Sequence, residues 1–147
     1  TAVPCVYTTS NTSTIKMRGW DSSILQAIGN EFFLAFFWTF PDEQAHFKKF
    51  AGVTPLLGNA AFEAQTLAVF EYLDKMIKGD AKALFMKKIY DHRDRSMGPN
   101  SWTNILNFLP GFMGRNGGDL CEWSEFCCSL KCCVKNSECI TGSSSPC

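Results

Sequence analysis

Glu31-Phe32-Phe33-Leu34-Ala35-Phe36-Phe37-Trp38-Thr39-Phe40, followed by Pro41-Asp42-Glu43-Gln44-Ala45-His46-Phe47-Lys48-Lys49-Phe50, is the stretch on which the fold turns. Phe32, Phe33 and Phe36 continue an apolar series that starts at Ile15 and passes through Trp20, Ile24 and Ile28. That recurrence predicts one or two helices between Thr14 and about Phe40, with an apolar face turned to a core. Gly29-Asn30 either divides two helices or lets a neighbouring helix cross closely. Pro41-Asp42-Glu43 stops the run, because proline cannot continue a helix but can open the next turn.

Beyond Phe47 and Phe50, Thr54-Pro55 is expected to open a further helix, with Thr54 as its N-cap and Pro55 in its first turn. Phe62, Val69, Leu73 and Met76 follow at helical spacing, with Gln65 and Thr66 on the same stripe. Gly79-Asp80 ends that helix. Ala81 to His92 reads as a shorter one, with Leu84, Phe85, Ile89 and His92 along one side. Gly98-Pro99-Asn100-Ser101 breaks the chain before a helix from Trp102 to Phe112. Gly114 to Gly118 is a turn, and Asp119 caps a last helix containing Trp123 and Phe126. No segment alternates as a strand would, so the expected class is all-α. Residues 1–14, rich in Thr and Ser, read as an arm, 15–135 as the folded body, and 136–147 as a cysteine-containing tail whose Gly142 to Pro146 is of low complexity.

The 147 residues suit one domain, which at this size buries roughly 68–70% of its unfolded surface and can enclose a flat prosthetic group. Fourteen basic residues balance fourteen acidic ones, so no nucleic-acid or anionic-membrane partner is expected, since either would call for a basic excess. The longest apolar run, Phe32 to Trp38, has seven residues, against the roughly 20 that cross a bilayer.

Eight cysteines in so short a chain point to disulfides and an oxidising, extracellular compartment. A start at Thr1 fits a processed, secreted form, and Asn11-Thr12-Ser13 is a glycosylation sequon. Cys121, Cys128, Cys132 and Cys139 fall on one helical face if the helix persists, with Cys127 and Cys133 flanking it. Cys127 and Cys128 are adjacent and are expected to seek separate partners, such as Cys5, Cys139 or Cys147. The spacing matches no zinc-finger pattern, and no His lies nearby. A terminal cysteine could also bridge chains into a larger assembly.

The run from Phe32 through Phe50 resembles the globin family, and the middle of the chain is similar to invertebrate globins, including the extracellular and dehaloperoxidase-like ones. The resemblance implies a globin fold and haem b. Phe47, fourteen residues after Phe33, matches the corner Phe that packs on the haem face, and Phe33 the position reaching over its distal side. Phe62, Gln65 and Val69 are similar to the distal helix, with Gln65 facing the gas ligand where His is commoner. His92, 23 residues after Val69, matches the proximal iron ligand, and Trp123 a Trp of the last helix. The chain departs from the family in its short segment from Trp102 to Cys121, where Pro110 implies a shortened or bent penultimate helix, and in the polar Lys88 one turn before His92. The cysteine-rich end also departs from intracellular members, although extracellular invertebrate globins join their N-terminal arm to the last helix by a disulfide.

The chemistry follows from these positions. An iron ligand must be a neutral imidazole oriented through its other nitrogen, and on a helix the second ring N–H of His92 could meet the backbone carbonyl of Lys88. Gln65 can donate an amide N–H to a bound gas, or it is an exposed helix residue. Val69 and Ile89 offer apolar surface to a porphyrin, or pack the core. The Lys88 stem could cover a haem edge while its ammonium reaches water. Arg93 and Arg95 are placed to pair with haem carboxylates, or are solvated. His46 is expected to be solvated, or else a corner residue near a haem edge. The leading expectation is an extracellular globin that carries or stores dioxygen. A haem peroxidase is the enzyme alternative, opposed by Gln65, which cannot act as a general acid or base near neutral pH. A haem-free, disulfide-stapled scaffold is the third.

Overall fold

The computed structural model describes residues 20–92 and 99–136, and every described element is helical. A 3₁₀ turn, Ser22–Ile24, leads into α1, Leu25–Thr39. A second 3₁₀ segment, Pro41–His46, forms the corner. Then come α2, Ala60–Lys78, α3, Ala81–His92, α4, Pro99–Arg115, and α5, Leu120–Asn136. None of these helices is long and apolar enough to cross a membrane. The arm at 1–14 with its sequon and Cys5, Arg93 and Arg95, and the tail cysteines Cys139 and Cys147 lie outside the described residues.

α1 crosses α2, α4 pairs with α5, and α3 packs against both α2 and α5. The first crossing is set by Gly29, which lies inside α1 rather than between two helices. A Cβ there would stand 3.0 Å from the Thr66 carbonyl oxygen and 3.3 Å from Phe70 Cδ1. Beside it, the Asn30 side-chain oxygen accepts from Gln26 and Thr66, and Gln26 also donates to the Glu63 carbonyl at 3.0 Å. The buried polar atoms at the crossing therefore satisfy one another. Phe32, one turn on, meets the rings of Phe33, Phe36, Phe70, Phe108 and Phe112 at centroid distances of 5.1–5.7 Å. Each such pair adds about 0.5–1.5 kcal/mol beyond its burial, and together they tie α1, α2 and α4.

The start of α2 differs from the expectation at Thr54-Pro55. Gly58 takes a positive φ of 89°, which no helix interior accommodates, so α2 begins only after it. Asn59 is the cap: its Oδ1 accepts the Phe62 N–H at 2.9 Å, and the Glu63 carboxylate accepts the Gly58 N–H at 2.9 Å. Asp80 and Asp119 cap α3 and α5 through the Ala83 and Glu122 N–H groups.

The penultimate helix also differs, because α4 continues through Pro110 for 17 residues and is not shortened. An internal proline costs a helix roughly 3 kcal/mol. Here Pro110, Leu106, Leu109, Phe112 and Met113 are all buried on a helix that packs along α5, and that burial offsets the missing bond.

On α5, Cys121 is disulfide-bonded. Cys127 is not, contrary to the expectation of a distant partner: it is a thiol, 1% exposed, on the inward face with Trp123, Phe126 and Leu130. Burial pushes its pKa far up, with Lys131 opposing slightly, so it serves as a small core residue. Trp123 is fully buried, 5.4 Å from the ring of Trp20, and its indole N–H has no hydrogen-bond partner among the described residues.

The chain ahead of α1 is fastened to α2 through Asp74, which accepts from Trp20 Nε1 at 2.7 Å and Lys78 Nζ at 3.0 Å, with Ser22 also in reach. Burial raises the Asp74 carboxyl, but the bonds from Trp20, Lys78 and Ser22 outweigh it and hold it below its ordinary value of 3.8. The native form thus favours the carboxylate. Its stabilisation is complete above the unfolded pKa and fades as pH falls through the lower native one. In urea denaturation, Asp74→Asn is expected to be less stable than the parent at pH 7, and the gap should close as pH falls well below 3.8. Gly29→Ala is expected to lower stability by about 1–2 kcal/mol, since overpacking costs about 1–3 kcal/mol while the helix gains up to about 1 kcal/mol from alanine. A neutral or stabilising result would mean that the crossing relaxes.

Candidate functional site

The corner and residues of all five α-helices line a cavity of about 570 Å³, within the range of about 300–1,000 Å³ typical of ligand sites. The corner is built first. The Phe47, Phe50 and Val53 N–H groups close successive turns onto the carbonyls of Gln44, Phe47 and Phe50, and Gln44 Nε2 donates to the Phe50 and Val53 carbonyls at 2.9 and 3.1 Å. That brace stacks Phe47 on Phe50, with centroids 5.3 Å apart, and brings Phe47 to 6.2 Å from Phe33 on α1.

α2 supplies the opposite wall through Gln65, Val69, Tyr72 and Met76, one stripe at three- and four-residue spacing. α3 contributes Phe85 and Lys88, and α4 Trp102, Ile105, Leu106 and Leu109. The Phe85 and Trp102 rings meet edge to face at 5.5 Å. The Tyr72 hydroxyl donates to the Leu84 carbonyl, and the Lys88 ammonium sits 4.0 Å from the centre of the Tyr72 ring. Lys88 thus lays its charge on an aromatic face, where the expectation sent it to water.

Phe33, Phe47, Gln65 and Val69 therefore line a single cavity. Ile89 packs against the main core and is not among the lining residues. Helical geometry explains this: one residue after Lys88 the direction has turned by roughly 100°. Four residues after Lys88 and seven after Phe85 the register returns to the cavity side, and His92 holds that position at the end of α3. The His92 side chain lies outside the described residues. His46 lines the cavity and is half-buried, which is nearer to the second of its two expected places, a corner residue, than to the solvated one. Tyr72, Lys48, Lys49, Phe85 and Trp102 are lining residues that the sequence reading missed. Tyr72 was recoverable from the helical step after Val69, whereas Trp102 depends on how α4 meets α3.

The cavity wall is mostly apolar, and its charged side chains are cationic: Lys48 and Lys49 at the exposed edge, and Lys88. The globin family model matches residues 30–130. The chain belongs to the globin family. The match runs from the second half of α1 through most of α5, so this globin's cavity falls wholly inside it.

Globins usually bind haem, and the residues present fit that group. Phe33, Phe47 and Val69 give apolar surface for a porphyrin, and Lys48 and Lys49 give cations for its carboxylates. No carboxylate side chain occurs among the described lining residues to oppose them. Haemin titration followed by tryptophan fluorescence quenching checks this directly. Reversing both edge charges, Lys48→Glu with Lys49→Glu, is expected to weaken haemin binding on the order of tenfold, equal to about 1.4 kcal/mol. Val69→Trp, which fills the cavity, should abolish it. Unchanged affinity in both variants would place the ligand elsewhere.

Proposed function

We propose that this globin holds haem b in the cavity through His92 and reversibly binds dioxygen, for transport or storage outside the cell. The observation that carries the reading is the convergence of Phe33, Phe47, Gln65 and Val69 on one cavity with a cationic edge. The bound group would supply an iron centre open to a small gas on the face opposite its protein ligand.

The chain's own residues would do the rest. His92 would supply the imidazole, its position at the end of α3 falling on the cavity side. Gln65 would give one amide N–H to a gas that gains negative charge, a stronger bond than one between neutral groups. Phe33, Phe47 and Val69 would keep water out and offer no second donor. The disulfide at Cys121 supports an oxidising, extracellular setting. The likeness to invertebrate extracellular and dehaloperoxidase-like globins belongs to the same proposal. A haem-peroxidase activity is the second reading, favoured by one observation: the imidazole of His46 on the cavity wall.

Absorption spectra of the purified protein, oxidised, reduced and under carbon monoxide, test the first reading. A Soret band that shifts with each state and is lost in His92→Ala is expected. Gln65→Leu should raise the dioxygen dissociation rate roughly tenfold, the loss of one hydrogen bond of about 1–2 kcal/mol. Protein absorbance alone after added haemin would reject the haem reading, and an unchanged dissociation rate would remove Gln65 from the ligand.

A further inference from the structure

The cavity follows α2 for much of its length. Gln65, Val69, Tyr72 and Met76 all line it, and the stretch from Gln65 to Met76 covers roughly 16 Å at about 1.5 Å per residue. The corner closes the Gln65 end, where Phe50 meets Phe62 of the first turn of α2 at 5.6 Å. Phe33, Phe47, Gln65 and Val69, the residues matched to haem contacts, belong to that end. Beyond Val69 the cavity continues for roughly 10 Å more, to Met76.

This far half has a different wall. Leu73 and Met76 of α2, Phe85 of α3, Leu106 of α4 and Leu130 of α5 line it, each 9% exposed or less. α3 turns back along α2 after Gly79-Asp80, so that the Tyr72 hydroxyl donates to the Leu84 carbonyl and Lys88 stands opposite Tyr72. Lys88 is half-buried, and its ammonium lies 4.0 Å from the centre of the Tyr72 ring. One cation thus stands where the haem-matched half meets an apolar recess.

We propose that the far half of the cavity binds medium-chain alkyl carboxylates, with the head group on Lys88 and the chain among Leu73, Met76, Phe85, Leu106 and Leu130. Side chains from four helices surround the recess, which suits a narrow, flexible body, and the unbranched Met76 adapts to its shape. Apolar burial holds the chain without regard to direction. The charge sets the choice of ligand: an alkane or alcohol gains only the apolar wall, whereas a carboxylate also gains a charge-assisted bond from the ammonium. A half-buried cation attracts an anion more strongly than the exposed Lys48 and Lys49 do, because less water screens it. No carboxylate side chain among the described lining residues competes for it.

The assignment uses the cavity and Lys88 alone and stands whether or not the corner end holds haem. Isothermal titration calorimetry of the full chain without haemin tests it, with hexanoate, octanoate and decanoate as probes. Saturable one-to-one binding is expected, tightening about three- to fourfold with each added methylene. Lys88→Met keeps the stem and removes the charge; it should weaken decanoate on the order of tenfold and leave decanol unchanged, while Lys88→Arg should keep most of the affinity. Met76→Trp, which fills the recess, should weaken decanoate and decanol alike. Absence of decanoate binding, or equal binding in Lys88→Met and the parent, overturns the proposal, and full affinity in Met76→Trp overturns the placement of the chain. Haemin titration of the parent keeps the two readings apart: a protein that takes decanoate but no haemin loses the haem reading alone, and one that takes haemin but no decanoate loses this one alone.

Discussion

The contact between Gly29 and the backbone of α2 is the constraint from which the rest of this globin follows. With 3.0 Å between a would-be Cβ and the Thr66 carbonyl, the two helices meet main chain to main chain, and their relative position has little slack. Phe32 and Phe70 then face each other at 5.5 Å, and Phe108 and Phe112 of α4 close on the same ring. Once α2 is fixed, its next stripe of residues has one direction to point. Gln65, Val69 and Tyr72 face the cavity because Phe62, Thr66 and Phe70 face α1.

The corner works by different physics. Between α1 and α2 the chain makes no α-helix, and its shape is held by short 3₁₀ hydrogen bonds and by the Gln44 side chain bridging two carbonyls. Aromatic rings fill the space beneath, while Glu43 and Asn104 make one buried polar tie to α4. A cavity wall assembled this way can be apolar inside and still carry charges at its edge. Apolar surface stabilises a flat hydrophobic body without regard to direction, and the few polar groups set how it is oriented.

Much of this was legible because helical periodicity records which face is buried. The bounds of α3 from Ala81 to His92 and the cap at Asp119 were readable from spacing and residue type, and the four residues that meet in the cavity from the resemblance to globins. Thr54-Pro55 misled because a good cap and a first-turn proline are local signals, and the positive φ of Gly58 overrides them. Pro110 misled in the opposite sense, since its local cost is real but its burial is a property of the assembled fold. The half-buried place of His46 was hard to read because nothing in sequence shows that its neighbour Glu43 is tied to Asn104, 61 positions further on than Glu43. Cys127 looked like a disulfide partner because composition counts cysteines without saying which of them face inward.

The indole N–H of Trp123 has a wider consequence. A buried donor without an acceptor costs roughly 1–3 kcal/mol, a sizeable share of the roughly 5–15 kcal/mol that keeps a domain folded. Among the described residues, then, the core is open to improvement at this point: an acceptor placed beside the indole would add stability of that order.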